Sequence, residues 1–186
     1  RTISKFLGRN YVIEASIGHV RDLPEWAKQI PAQYKGQKWA NLGVNVEGAL
    51  FSVGDGHYRQ GEGESCGSAV EGAMDVWLIV DLVKGRGPAW PRIETDDYLM
   101  VVGSSRPLED AWRISQAGMV GWLSDLYGLD RLDAYQLLTQ VSECPLANVV
   151  DVNYSSVTKV RKSLLPAADA YDGMHRRLRE LAGTAG

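Results

Sequence analysis

An α+β fold is predicted for these 186 residues by two strand-like stretches, at 69–83 and 98–102, and by an amphipathic helix that follows Pro107. In the first stretch Met74, Val76, Leu78, Val80 and Leu82 share one face while Trp77 and Ile79 lie on the other, so both faces should be covered. In the helix Leu108, Trp112, Ser115, Met119, Trp122 and Leu126 recur at spacings of four and three, which is one helical face and reads as core. Pro107 suits the first turn, Glu109 and Asp110 suit the positive end of the helix dipole, and Gly128 is the expected stop. Asp130 then opens a second, shorter helix containing Tyr135, Leu137, Leu138 and Val141. Residues 149–160 alternate like a strand, and 168–182 read as a terminal basic helix. Ahead of all this, residues 2–7 form a helical stub and 11–17 a strand in which Val12, Glu14 and Ser16 alternate with apolar neighbours. A loop at 18–24 leads to a weak amphipathic segment broken by Pro31. Residues 34–45 are polar, glycine-marked and without a clear period.

Composition narrows the class. An apolar share of 45% and a charged share of 23% are those of a globular domain. No apolar run reaches the ~20 residues that span a bilayer, and the charged N-terminus is followed by no apolar stretch of the signal-peptide kind, so no membrane association is expected. Two cysteines, Cys66 and Cys144, allow at most one disulfide, which points to a reducing cytoplasm. The chain opens on Arg1 rather than methionine, as a piece cut from something longer would. The net charge of −3 is uneven: residues 1–47 carry +3 and residues 48–186 carry −6, as two joined kinds of sequence would. An excess of +3 is too weak to argue for nucleic acid by itself.

Reactive side chains crowd into Gly54-Asp55-Gly56-His57-Tyr58-Arg59-Gln60-Gly61-Glu62-Gly63-Glu64-Ser65-Cys66-Gly67. Five glycines there let the backbone turn sharply and approach a small ligand. If the segment is extended, Asp55 and His57 point to one side, a geometry suited to one metal ion. Glu64 is close enough to fold back as a third ligand or as a base. A metal-activated water with a carboxylate base can attack an amide carbonyl. Two other readings stand beside this one: solvated turn residues, or Cys66 as a thiol nucleophile with His57 as its base. Elsewhere, Lys159, Arg161, Lys162 and the run His175-Arg176-Arg177 read as a solvated face, and His19 as a surface histidine.

From Gly48 onward the chain resembles the acetamidase/formamidase family. The resemblance rests on GALFSVGDGHYRQGEGESCGSAVEGAMDVWLIVDL, VVGSSRPLEDAWRISQ, YGLDRLDAYQLLTQVSECPLANVVD and AYDGMHRRLR, which are collinear over about three quarters of the chain. It implies a β-rich, sandwich-like domain with two to three helices. The implied activity is hydrolysis of short-chain amides, such as formamide and acetamide, to ammonia and a carboxylate, usually by a homo-oligomer. A divalent metal, zinc, is implied as well. Carried onto this sequence, Asp55 and His57 are the expected metal ligands and Glu64 the expected catalytic base. Gln60, Gly61 and Gly67 are candidates for binding the amide, and Glu71 for support behind the ligands. Family members carry a further front half, so a site built from both halves is expected to be incomplete here and turnover reduced or lost.

Residues 1–47 instead resemble the Toprim region of bacterial type IA DNA topoisomerases, through TISKFLGRNYVIEASIGHVRDLP and IPAQYKGQKWANLGVNVE. That resemblance implies a βα fragment. The catalytic glutamate, metal-binding aspartates and nucleophilic tyrosine of that family would lie outside the segment, so no strand cleavage is expected. Arg21 and Lys35 could touch phosphate, but nucleic acid is not expected as the main partner. The chain therefore reads as two parts, 1–47 and 48–186. An amide hydrolase lineage is the leading expectation, with a topoisomerase-derived nucleic-acid-associated fragment or an inactive hybrid as alternatives.

Overall fold

The computed structural model describes residues 9–17, 38–44, 50–51, 53–73, 76–84 and 87–184. Arg21, Lys35 and His19, the helical stub at 2–7 and the segments at 18–24 and around Pro31 lie outside them. Among the described residues the fold is α+β, with three α-helices and antiparallel strand pairing throughout.

The strands are β1 (Arg9–Ile17), β2 (Lys38–Val44), β3 (His57–Arg59), β4 (Val70–Glu71), β5 (Val76–Lys84), β6 (Arg92–Glu94), β7 (Tyr98–Ser105), β8 (Ser142–Glu143), β9 (Leu146–Asn148) and β10 (Tyr154–Arg161). One sheet runs in the order β5-β1-β2-β6-β7-β10-β8, with β9 also paired to β10; β3 and β4 form a separate hairpin. β1 is hydrogen-bonded on both sides, Val12 facing Asn41 of β2 and Asp81 of β5, so this strand from the topoisomerase-like segment is integral to the sheet.

Three helices, α1 (Leu108–Tyr127), α2 (Arg131–Val141) and α3 (Met174–Thr184), complete the fold. Pro107 is the extended N-cap of α1, one position ahead of the first turn expected for it, and the C-cap Gly128 is left-handed (φ 65°). The Asp130 side chain accepts from the Leu132 and Asp133 backbone N–H groups, capping α2. Asp130→Ala is expected to cost about 1 kcal/mol, the usual value of such a cap, measured as a shift in the urea unfolding midpoint.

The core forms where α1 and α2 lie on one face of β7 and β10. Leu99, Val101, Val160, Met119, Trp122, Leu123, Ala134 and Leu138 are buried together. Inward positions alternate on the two strands, Leu99, Val101 and Gly103 facing Val160, Thr158 and Ser156 in register. The two polar inward residues of α1 are satisfied within this face. Ser115 Oγ lies 2.8 Å from Thr158 Oγ1, and Gln116 Nε2 donates to Thr158 Oγ1 at 3.0 Å and to Cys144 Sγ at 3.0 Å. α3 packs Met174 and Leu178 against Val83 of β5.

The structure corrects several expectations. The single strand expected at 69–83 is broken into β4 and β5, which belong to different sheets. Residues 34–45, read as aperiodic, include β2, whose pairing with β1 and β6 supplies what side-chain alternation does not. Of 149–160 only β10 is strand; residues 149–153 form bends. The helix expected at 168–182 begins at Met174, after a 3-10 turn in which Tyr171 and Asp172 are left-handed. Trp112 is not core: it is 42% exposed, because the buried face of α1 is rotated to Ala111, Ser115, Met119 and Trp122. His175 is not on a solvated face either. It is largely buried beside Asp96, and burial lowers its pKa against the opposing pull of Glu94 and Asp96. Lys162 is paired with Glu94, and Lys159 and Arg161 with Glu143, whose pKa is lowered chiefly by its bond from Lys159.

Candidate metal and catalytic centre around His57

The glycine-rich segment turns back on itself before and after β3. Asp55 (φ 54°) and Glu64 (φ 43°) both adopt the left-handed conformation that side chains disfavour, and both turn toward the same imidazole. Glu64 follows Gly63, which is buried, left-handed (φ 83°) and clamped to β9: its N–H donates to the Leu146 carbonyl at 2.7 Å, and its carbonyl accepts from Val149 N–H at 2.8 Å. Glu71 arrives by register, as the residue paired with His57 across the β3–β4 hairpin.

His57 is thereby surrounded by carboxylates. Its side chain is only 7% exposed. Nε2 lies 3.2 Å from Glu64 Oε1 and 3.7 Å from Asp55 Oδ1, and Nδ1 lies 3.1 Å from Glu71 Oε2. The three acids differ in setting: Glu64 is 11% exposed, Glu71 is 57% and Asp55 is 89%. Glu71 is further fixed by accepting the Ala69 N–H at 3.1 Å.

Among the described residues, one group of three could hold a metal ion: Asp55, His57 and Glu71, whose ligand atoms lie within 4.8 Å of one another. Glu71, expected only behind the ligands, thus stands among them, and Glu64 meets His57 from the Nε2 side. The fit to a divalent cation is supported by an orphaned atom: His57 Nδ1 is buried and makes no hydrogen bond, the nearby Glu71 oxygen being out of alignment. One imidazole and two carboxylates also leave coordination positions open, as hydrolytic zinc sites do.

The other sequence candidates fall in varied places. Gln60 is exposed and spends its amide on the Ala147 carbonyl at 2.8 Å, tying the loop to β9. Gly61 is exposed with open space around it, and Gly67 is exposed and left-handed (φ 81°). Cys66 is exposed, its thiol bonded to the Ser68 carbonyl, while the contacts of His57 are to carboxylates; the thiol–imidazole reading gains no support. Sequence reasoning missed Asn148 and Asp151. Asn148 donates to Glu64 Oε2 at 2.8 Å across 84 residues of sequence, and to Asp151 Oδ2 at 2.7 Å. Both stand in the stretch ANVVD that carries the family resemblance, but nothing local to it marks a partner for Glu64.

Comparison with known proteins places this geometry in context. The family model described as the acetamidase/formamidase family matches residues 34–160, beginning inside the segment 1–47. An acetamidase structure from Yersinia enterocolitica is similar with a TM-score of 0.67 and 40% identity, covering 72% of this chain and 40% of that one. A predicted acetamidase/formamidase from Thermoanaerobacter tengcongensis is similar with a TM-score of 0.65 and 27% identity, covering 70% of this chain and 43% of that one. The chain thus spans less than half the length of these solved relatives. A segment of 47 residues is 62% identical to DNA topoisomerase 1 of Synechocystis sp., which is 25% of this chain and 5% of that protein. DNA topoisomerase 1 of Mycobacterium tuberculosis is 53% identical over 100 residues, 51% of this chain and 10% of that protein. The amidase match takes in the strands from β2 onward, the first two helices and the His57 cluster but not β1, and the chain belongs to the acetamidase/formamidase family.

Proposed function

We propose that this chain acts in the hydrolysis of short-chain linear amides, with Asp55, His57 and Glu71 holding a divalent metal and Glu64 serving as the base. The observation that carries this reading is the His57 imidazole, buried among three carboxylates in a member of an amide-hydrolase family. Zinc suits the mixed nitrogen and oxygen donor set, and a bound divalent cation would supply polarisation of the amide carbonyl and easier ionisation of water. The chain's own residues do the rest. Glu64 Oε1, held away from bulk water, accepts a proton from the attacking water and returns it to the departing nitrogen. The sum is RCONH2 + H2O → RCOO⁻ + NH4⁺. Gln60, Gly61 and Gly67 lie in the same loop as Glu64 and are the proposed contacts for a small amide.

In this proposal the chain divides into two parts, residues 1–47 and 48–186. Two free, exposed thiols support a reducing cytoplasm. Trp112, Leu132 and Tyr135, exposed together along α1 and α2, support a homo-oligomer. Among the described residues no helix is long and apolar enough to cross a membrane.

The test is ammonia release from formamide and acetamide. Slow release is expected, abolished by EDTA and restored by Zn²⁺. A zinc-saturated chain that liberates no ammonia from either amide would overturn the proposed hydrolysis.

A further inference from the structure

Asn148 uses its whole hydrogen-bonding capacity. Its Oδ1 accepts the backbone N–H groups of Val150 and Asp151, both at 3.1 Å, and its Nδ2 donates to Glu64 at 2.8 Å and Asp151 at 2.7 Å. The network itself fixes which way the amide points. Reversed, the NH2 would face two N–H donors, and the oxygen would face two carboxylates. Asn148 is buried at the end of β9, so these bonds compete little with water.

The consequence for Glu64 is directional. One carboxylate oxygen, Oε2, is bound by Asn148, and the other, Oε1, is left 3.2 Å from His57 Nε2. A glutamate side chain has three rotatable bonds and would otherwise sample several orientations at a cost well below that of folding. Gly63 and Gln60 pin the backbone of the same loop to β9, but neither touches the Glu64 carboxylate. Among the described residues, Asn148 is what connects β9 to the Glu64 carboxylate.

We infer that Asn148 is a positioning residue, which holds Glu64 Oε2 and so aims Oε1 of the same carboxylate at His57. The inference rests on Glu64 being the base for its consequence in turnover, but its geometric content can be read without turnover. Asp151, sharing the same NH2 group, adds a second negative charge that would repel Glu64 if the amide donor were lost.

Asn148→Asp is the decisive variant. It has the same size and keeps an Oδ1 acceptor for Val150 and Asp151, so the turn after β9 is retained. The donor to Glu64 becomes a third carboxylate. Two readouts are taken at one fixed pH: the ring ¹⁵N shifts of His57 in the metal-free chain, and kcat and KM for formamide in the zinc-loaded chain. The expected result is a His57 spectrum displaced in the same direction as in Glu64→Gln, with kcat down about 10- to 100-fold and KM within about twofold. A merely structural role for Asn148 would leave the His57 spectrum at its wild-type position, and that outcome overturns the inference. An unchanged kcat alongside measurable wild-type turnover overturns it too. Should the wild-type chain release no ammonia at all, the hydrolase reading falls, yet the His57 spectrum still decides the positioning claim. If circular dichroism shows that Asn148→Asp does not fold, Asn148→Ser takes its place, since its hydroxyl still accepts from the turn but is too short to reach Glu64.

Discussion

Gly103→Ala is expected to destabilise the protein by about 3 kcal/mol or more, lowering the thermal midpoint by about 6–12 °C in a scan of the full chain. Gly103 lies on the inward face of β7, with the backbone of α1 directly against it. A Cβ at this position would sit 2.1 Å from the Ala111 carbonyl oxygen and 2.7 Å from the Ser115 backbone nitrogen. Both are backbone atoms inside a helix and cannot rotate away, so relief requires α1 to lift from β7 and β10. That movement would open the Ser115–Thr158 and Gln116–Thr158 bonds as well as the packing of Met119 and Leu123. Gly121→Ala, in the same helix but facing open space, is the matched control; it should be neutral or slightly stabilising, because alanine is the better helix former. Equal midpoints for the two variants would refute the close approach of α1 to β7.

His57→Ala is expected to weaken Zn²⁺ binding more than about 100-fold in isothermal titration calorimetry. Loss of a residue behind a metal ligand typically costs 10- to 100-fold, and His57 is proposed as a ligand itself. Glu71→Gln should lose more than about 10-fold, because Glu71 belongs to the group of mutually close ligand atoms. Glu64→Gln should retain affinity within a few-fold and lose ammonia release, the pattern of a base that does not coordinate. Comparable affinity losses for Glu64→Gln and Glu71→Gln would assign both carboxylates to the metal and leave the site without its proposed base.

The helix boundaries were legible because their causes are local. Pro107, Gly128 and the Asp130 cap act through their own dihedrals and hydrogen bonds to residues two or three positions away; α1 runs between the first two, and α2 begins at the third. The chemistry of the centre was legible in part for the same reason: Asp55, His57 and Glu64 lie within ten residues of one another in a glycine-rich loop. Register was not. The role of Glu71 depends on its pairing with His57 across a hairpin, and the sequence presents 69–83 as one long strand-like stretch. Trp112 fits the apolar stripe of α1 as well as Ala111 does, and only the angle at which the helix meets β7 and β10 decides which is buried.

The sequence by itself determined the α+β class, the limits of α1, the start of α2, and a segment rich in imidazole and carboxylate. The tertiary structure alone decided that β1 pairs between β2 and β5, that Glu71 reaches His57, and that Asn148 reaches Glu64 from 84 residues away. The division follows from range. Caps and turns are fixed by atoms a few residues apart, whereas strand pairing and side-chain convergence are settled only when distant segments exclude water between them.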